Sequence, residues 1–238
     1  MYKRLWLFFL TIACITNIFA KDVLTSNNLI SSTLANPVTS CIFQFESINK
    51  NFSFNSSSPY FNEEYKYATI KLKQGRSFSN VKTRIDLLTL TIYFLSSTGI
   101  EINIEPGNVK EITYADTTLS GILFYKFQTG FPSFEKQTEN NIYLILAEGK
   151  CGLLELITKK VTETKNNFSG GTVYDYETFE EYFLFIKGGL KKVKKDKDFI
   201  LSELADKQPQ LTDYIQINKL NMKKPEHISR LITYYNTL

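Results

Sequence analysis

The chain is predicted to be α+β: an antiparallel β sandwich or open barrel followed by a small C-terminal helical cluster. Three observations predict this. Short runs of alternating apolar and polar residues recur between turn residues from Tyr65 to Ile186. Aromatic residues make up 14% of the chain, with 19 Phe and 14 Tyr against one Trp, and Phe and Tyr suit pleated, half-buried surfaces. After Lys191 the apolar period changes from 2 to 3.6.

The middle of the sheet is predicted at one hairpin. Asn141-Ile-Tyr-Leu-Ile-Leu-Ala147 and Cys151-Gly-Leu-Leu-Glu-Leu-Ile-Thr-Lys-Lys-Val161 flank Glu148-Gly149-Lys150. The first arm is apolar on both faces, as a strand with neighbours on each side and cover above and below must be. At 238 residues, with 43% apolar and 22% charged residues, the chain is long enough to bury a full core.

Residues 1–20 read as an export signal. Lys3 and Arg4 precede an apolar stretch from Leu5 to about Ile15, and Ala20 supplies the small residue before the cut. That stretch is too short to span a bilayer, which needs about 20 apolar residues, and no transmembrane helix is expected in the mature chain. The expected location is periplasmic, extracellular or outer-membrane associated. Cys14, after Ile12-Ala13, gives a second reading, lipidation at a weak lipobox, although Thr11 stands where such boxes carry an aliphatic residue. The net charge is +4, and without Lys3 and Arg4 it is +2 (26 basic against 24 acidic residues), too weak a field to expect a nucleic-acid partner.

Residues 21–58 form a Ser- and Asn-rich segment with one expected strand, Val38–Phe45. Asn51, Asn55 and Asn167 begin glycosylation-type triplets, which matter only in a eukaryotic secretory route. The β domain is expected over 59–190. Its strands are read at Tyr67–Leu72, Val81–Leu87, Thr91–Leu95, Ile100–Ile104, Val109–Tyr114 and Gly121–Phe127, then the central hairpin and Tyr182–Ile186. Gln74-Gly75, Ser96–Gly99, Pro106-Gly107 and Lys187–Gly189 supply turns. Lys165–Thr178 reads as a long polar connection.

Three short helices are expected over 191–238. Phe199, Ile200, Leu204 and Ala205 share one helical face, with Asp196 or Asp198 favourably placed at its start. Leu211, Tyr214, Ile215 and Ile217 follow Pro209, and Ile228, Leu231, Ile232 and Tyr235 follow Pro225, both prolines at a first turn. Helices this short need tertiary partners.

Several stretches stand in a familiar order: Ser58-Pro-Tyr-Phe-Asn62, Gly75, Asn80-Val81 before Arg84-Ile-Asp-Leu87, Thr129-Gly130-Phe131, Gly149-Lys150 before Leu153-Leu154, and Tyr234-Tyr-Asn-Thr-Leu238. The chain from Ser58 onward resembles a group of uncharacterised secreted proteins of Bacteroidetes-type bacteria, with Thr237 where the usual ending has Ser. The resemblance implies an envelope or periplasmic protein of unknown activity and transfers no functional residue.

The residues themselves offer few chemical groups. No Gly-x-Ser-x-Gly, P-loop or dinucleotide fingerprint occurs, and no cofactor is expected. His227 is the one histidine and has no ligand-like spacing around it, so no metal site and no catalytic residue is assigned. Cys41 and Cys151 remain after export, either as one disulfide or as two separate thiols. Asp175, Glu177, Glu180 and Glu181 cluster among tyrosines, which admits a glycan hydrolase or a solvated acidic stretch. Lys191–Lys195 with Lys197 is the densest basic run, open to anionic polysaccharide or lipid headgroups or simply solvated. The candidate binding residues are Phe168, Tyr174, Asp175 and Tyr176, whose aromatic rings suit stacking on a sugar or peptide. The expectation is a non-catalytic exported protein with a protein or glycan partner in the envelope. The alternatives are an envelope-glycan hydrolase and a lipid-anchored envelope protein.

Overall fold

The computed structural model describes residues 58–118, 121–165 and 172–238. Ten strands form one open antiparallel sheet: β1 Lys66–Leu72, β2 Ser77–Asp86, β3 Thr91–Leu95, β4 Glu101–Ile104, β5 Val109–Thr118, β6 Gly121–Gln128, β7 Tyr143–Ala147, β8 Cys151–Lys165, β9 Thr172–Ile186 and β10 Gly189–Lys192. Three helices follow: α1 Lys197–Glu203, α2 Gln208–Ile217 and α3 Pro225–Tyr235. The predicted mostly antiparallel sheet with C-terminal helices is present.

The strand order is β10-β9-β8-β7-β6-β5-β1-β2-β3-β4. It is two meanders joined where β5 returns beside β1. A 3-10 turn at Pro106–Asn108 carries the chain from edge strand β4 back to that place. The central hairpin is β7–β8, and β7 lies between β6 and β8 as its two-faced apolar sequence requires.

Local rules explain the irregular points. Asn80 takes a left-handed φ of 61° where the β1–β2 register slips between Ala68 and Ile70. Asn tolerates that conformation better than most side chains. Lys187 (φ 52°) and Gly188 (φ 75°) close the two-residue β9–β10 hairpin, whose twist calls for two left-handed residues. Asp196 caps α1 by accepting the Phe199 amide at 3.1 Å, and Pro209 and Pro225 sit in the first turns of α2 and α3.

One face of the sheet carries two adjoining cores. Ile70, Phe78, Ile85, Ile92, Phe94, Ile112, Tyr114, Phe127 and Leu144 form the first, under β1–β7. Cys151 and Leu153 of β8 and Leu184 and Ile186 of β9 form the second, with Ile200, Leu204, Leu211, Leu231 and Ile232 from the helices. Leu146 packs against both. The opposite face of β7–β10 carries a third cluster of Tyr143, Leu154, Leu156, Phe183 and Leu190, with Phe131 and Phe134 packed against it.

Two contacts between distant segments set the shape. The Lys159 amide donates to the Leu87 carbonyl at 2.9 Å, so the outer half of β8 meets the end of β2. Asn236, just after α3, ties the helices to the β7–β8 turn. Its Oδ1 accepts the Cys151 amide at 2.9 Å, and its Nδ2 donates to the carbonyls of Glu148 (2.9 Å) and Cys151 (2.8 Å). Gly149 lies beside it with φ 142°, and a Cβ there would stand 2.5 Å from the Asn236 Cγ. The Gly149-Lys150 and Tyr234–Leu238 stretches, far apart in sequence, therefore form one joint.

Candidate functional site

The acids expected near Glu177–Glu181 do not share a cleft. β8 and β9 pair without a slip from Cys151↔Ile186 to Lys165↔Thr172. Strict alternation therefore puts Tyr182 and Glu180 on the face of Leu184, and Glu181, Glu177 and Asp175 on the face of Phe183. Glu181 is held by Lys192 and accepts from the Gln137 side-chain amide at 3.3 Å.

One of the buried acids, which the sequence did not single out, is Glu155, 8% exposed and opposite Tyr182. The Tyr182 hydroxyl lies 2.8 Å from Glu155 Oε1 and 2.7 Å from Glu180 Oε2. Burial pushes the Glu155 carboxyl up, against the hydrogen bond to Tyr182, while Glu180 adds repulsion and Lys195 opposes it. The Tyr182 hydroxyl is the donor that both carboxyl groups face. Burial and both carboxylates raise the Tyr182 phenol as well. The Lys195 ammonium stands 4.4 Å from the centre of the Tyr182 ring. This cluster is locked by its own partners.

The candidate binding residues fall differently from expectation. β9 begins at Thr172, so Tyr174, Asp175 and Tyr176 stand in a strand and not in a loop. They face Glu163, Thr162 and Val161 of β8. The alternating Thr-Val-Tyr-Asp-Tyr-Glu run is itself a strand pattern, masked by the Gly-rich stretch before it. Asp175 Oδ1 accepts the Tyr176 amide at 2.8 Å. Burial and the nearby Asp86 carboxylate raise the Tyr176 phenol. Phe168 and Cys41 lie outside the described residues, as do the Cys14 and export-signal readings and the Val38–Phe45 strand.

Cys151 is fully buried, with its thiol 3.7 Å from the Gly152 carbonyl oxygen. Burial, with a smaller contribution from Glu203, pushes the thiol up to about 12, the opposite of an activated nucleophile. His227 Nδ1 accepts the Asn221 amide at 2.7 Å. Among the described residues no group of three or more His, Cys, Asp or Glu side chains is placed to hold a metal, and no helix is long and apolar enough to cross a membrane.

A groove of about 450 Å³ lies at the β10 edge. Its walls come from two separate stretches: Phe134 and Glu135 of the β6–β7 connection, and the run from Lys191 and Lys192 of β10 through Val193 and Lys194 to Phe199 in α1. Phe134 is fixed by its edge-on contact with Phe183 (5.9 Å), and paired backbone hydrogen bonds between Phe134 and Gln137 hold the connection in a tight turn. Sequence reasoning found the lysines but not Phe134, although Phe131-Pro-Ser-Phe134 places two aromatic rings in a Pro-containing connection. Beside the groove, Lys192 leads to Glu181 and Glu181 to Gln137. The Gln137 Oε1 and the Tyr143 hydroxyl are buried with no hydrogen-bond partner among the described residues. Burial, then the Glu181 charge, pushes the Tyr143 phenol up to about 12.

The chain matches no protein-family model, no curated protein and no solved structure.

Proposed function

We propose that this is an exported, non-catalytic binding protein of the bacterial envelope, periplasm or exterior, and that the groove at the β10 edge is its recognition site. The observation that carries this is the make-up of the groove. Two aromatic rings and several lysines from two distant stretches converge on one concavity of the size that small ligands occupy. The residue 1–20 signal and the resemblance to secreted Bacteroidetes-type proteins supply the compartment. The Lys159–Leu87 contact supports reading the sheet as an open barrel that curls over its own core, a rigid base for such a groove.

The test is hydrogen–deuterium exchange on the protein purified from its host, with and without the host's envelope polysaccharide fraction. The expected result is protection of residues 131–137 and 190–199 with no sugar released. Turnover of the glycan, or protection confined to other segments, overturns the reading. A glycan hydrolase is the second reading, favoured by the raised Glu155 carboxyl beside Glu180, since a raised carboxyl is what a general acid needs. Full glycanase activity in a Glu155→Gln variant would reject it. Intact mass of the native protein decides the anchor: a start at Lys21 fits free export, and an acylated start at Cys14 fits a lipoprotein.

A further inference from the structure

We infer that the groove takes an acidic saccharide, one bearing uronate or sulfate groups, with the sugar on Phe134 and Phe199 and the acid group at Lys194. This assignment rests on reading the groove as the binding site.

The argument is a charge balance. Several basic side chains of the sheet are matched by carboxylates. Arg84 is stacked over Tyr60 (3.8 Å) and Tyr65 (4.5 Å) and bonded to Glu101 at 2.7 Å, so that aromatic cage is filled by the protein's own cation. Lys71 and Lys126 are bridged by Glu111 and Glu148. Within the groove, Lys191 pairs with Glu203, and Lys192 pairs with Glu181. Lys194 and Lys195 differ. Among the described residues neither has a carboxylate at ion-pair distance, and each lies over an aromatic ring instead, Lys194 at 5.9 Å from Phe199 and Lys195 at 4.4 Å from Tyr182. Glu135 is the one carboxylate in the groove lining, and its field falls on Lys192. Lys194 is exposed, so its ammonium at the mouth of the groove is accessible to an anion.

The aromatic walls narrow the ligand class. Phe134 and Phe199 are half-buried and line the same concavity. Ring faces of this kind take the C–H face of a sugar, while a simple inorganic anion makes no use of them.

The test uses calorimetric titration of the purified chain with four probes: a uronic-acid trisaccharide, a neutral trisaccharide of the same linkage, a poly-glutamate peptide, and vesicles of anionic phospholipid. The expected result is binding of the uronate at least tenfold tighter than of the neutral sugar. Lys194→Glu should weaken the uronate about tenfold, the scale of reversing one exposed charge that faces an anion. Lys160→Glu, on β8 and outside the groove, should leave it unchanged. Lys194 is exposed, so the variant should melt with the wild type, and its melting curve confirms that it is folded. Equal binding of the neutral sugar with no effect of Lys194→Glu overturns the acidic-ligand assignment and leaves the groove as a binding site. Tighter binding of the peptide or the vesicles overturns it in favour of an acidic protein or a membrane surface. Absence of binding to all four also overturns it, while the exchange footprint with the envelope fraction decides the binding reading separately.

Discussion

Asn236→Ala should be among the most damaging polar substitutions in the chain. The Asn236 side chain makes three hydrogen bonds to backbone of the β7–β8 turn, bridging 85 or more residues of sequence. Each such bond contributes about 1 kcal/mol net, and a buried amide left without an acceptor costs about as much again. The Glu148 carbonyl is exposed and water can replace that partner, so the expected loss is about 2–3 kcal/mol. For a chain of this size that lowers Tm by roughly 5–10 °C. The companion is Gly149→Ala. Its new Cβ meets the Asn236 Cγ at 2.5 Å, and its φ of 142° strains any side chain. Removing the Asn236 side chain relieves the clash but not the strain. The double variant should therefore lose less than the sum of the singles, by about 1 kcal/mol. Thermal and urea unfolding of the four proteins measure the cycle. A Tm for Asn236→Ala within about 1 °C of wild type, or strict additivity, would refute the joint as the link between helices and sheet.

Three other outcomes are expected. Because the folded Glu155 carboxyl is raised above its unfolded value, its contribution to stability is present at low pH and is lost as pH rises through the folded value. Glu155→Gln removes that titration, so its urea midpoint should vary less with pH on the side above the unfolded value, and an unchanged slope would show that Glu155 does not carry this pH dependence. In a Cys41→Ser background, Cys151 should resist alkylation at pH 8 in the native protein and react once unfolded; fast native labelling would contradict its burial. Lys159 donates to the Ser58 (2.6 Å) and Tyr60 (3.2 Å) carbonyls, so Lys159→Met should speed amide exchange at Phe61 and Leu87, and unchanged rates there would show that other contacts hold residues 58–61.

Much of the fold was legible because its signals are local. Alternation marked β1, β3 and β4, turn dipeptides separated them, and the prolines at 209 and 225 marked the starts of α2 and α3. The loop expected over Lys165–Thr178 was a misreading with a clear cause. Gly170-Gly171 and a run of polar residues resemble a connection, yet Tyr174 and Tyr176 alternate with Asp175 and Glu177, and pairing with β8 makes them strand. The acid cluster failed for a related reason. Neighbours in sequence on a strand point to opposite faces, so Glu180 and Glu181 were never one site. Glu155, in an apolar strand, gave no sign of a partner because Tyr182 is 27 residues away.

The sequence by itself determined the mostly antiparallel sheet with C-terminal helices, the interior place of the Asn141–Val161 hairpin, off the centre of the sheet, and the switch from strands to helices near Lys191, since each follows from side-chain period and turn chemistry within a few residues. The tertiary structure alone decided the rest: the return of β5 to β1, the contact of Glu155 and Glu180 through the Tyr182 hydroxyl, the Asn236 joint, and the meeting of Phe134 with Lys194 and Phe199. These depend on which distant segments come within a few ångströms of one another, and pairwise contact across the sheet leaves no periodic trace in either partner's sequence.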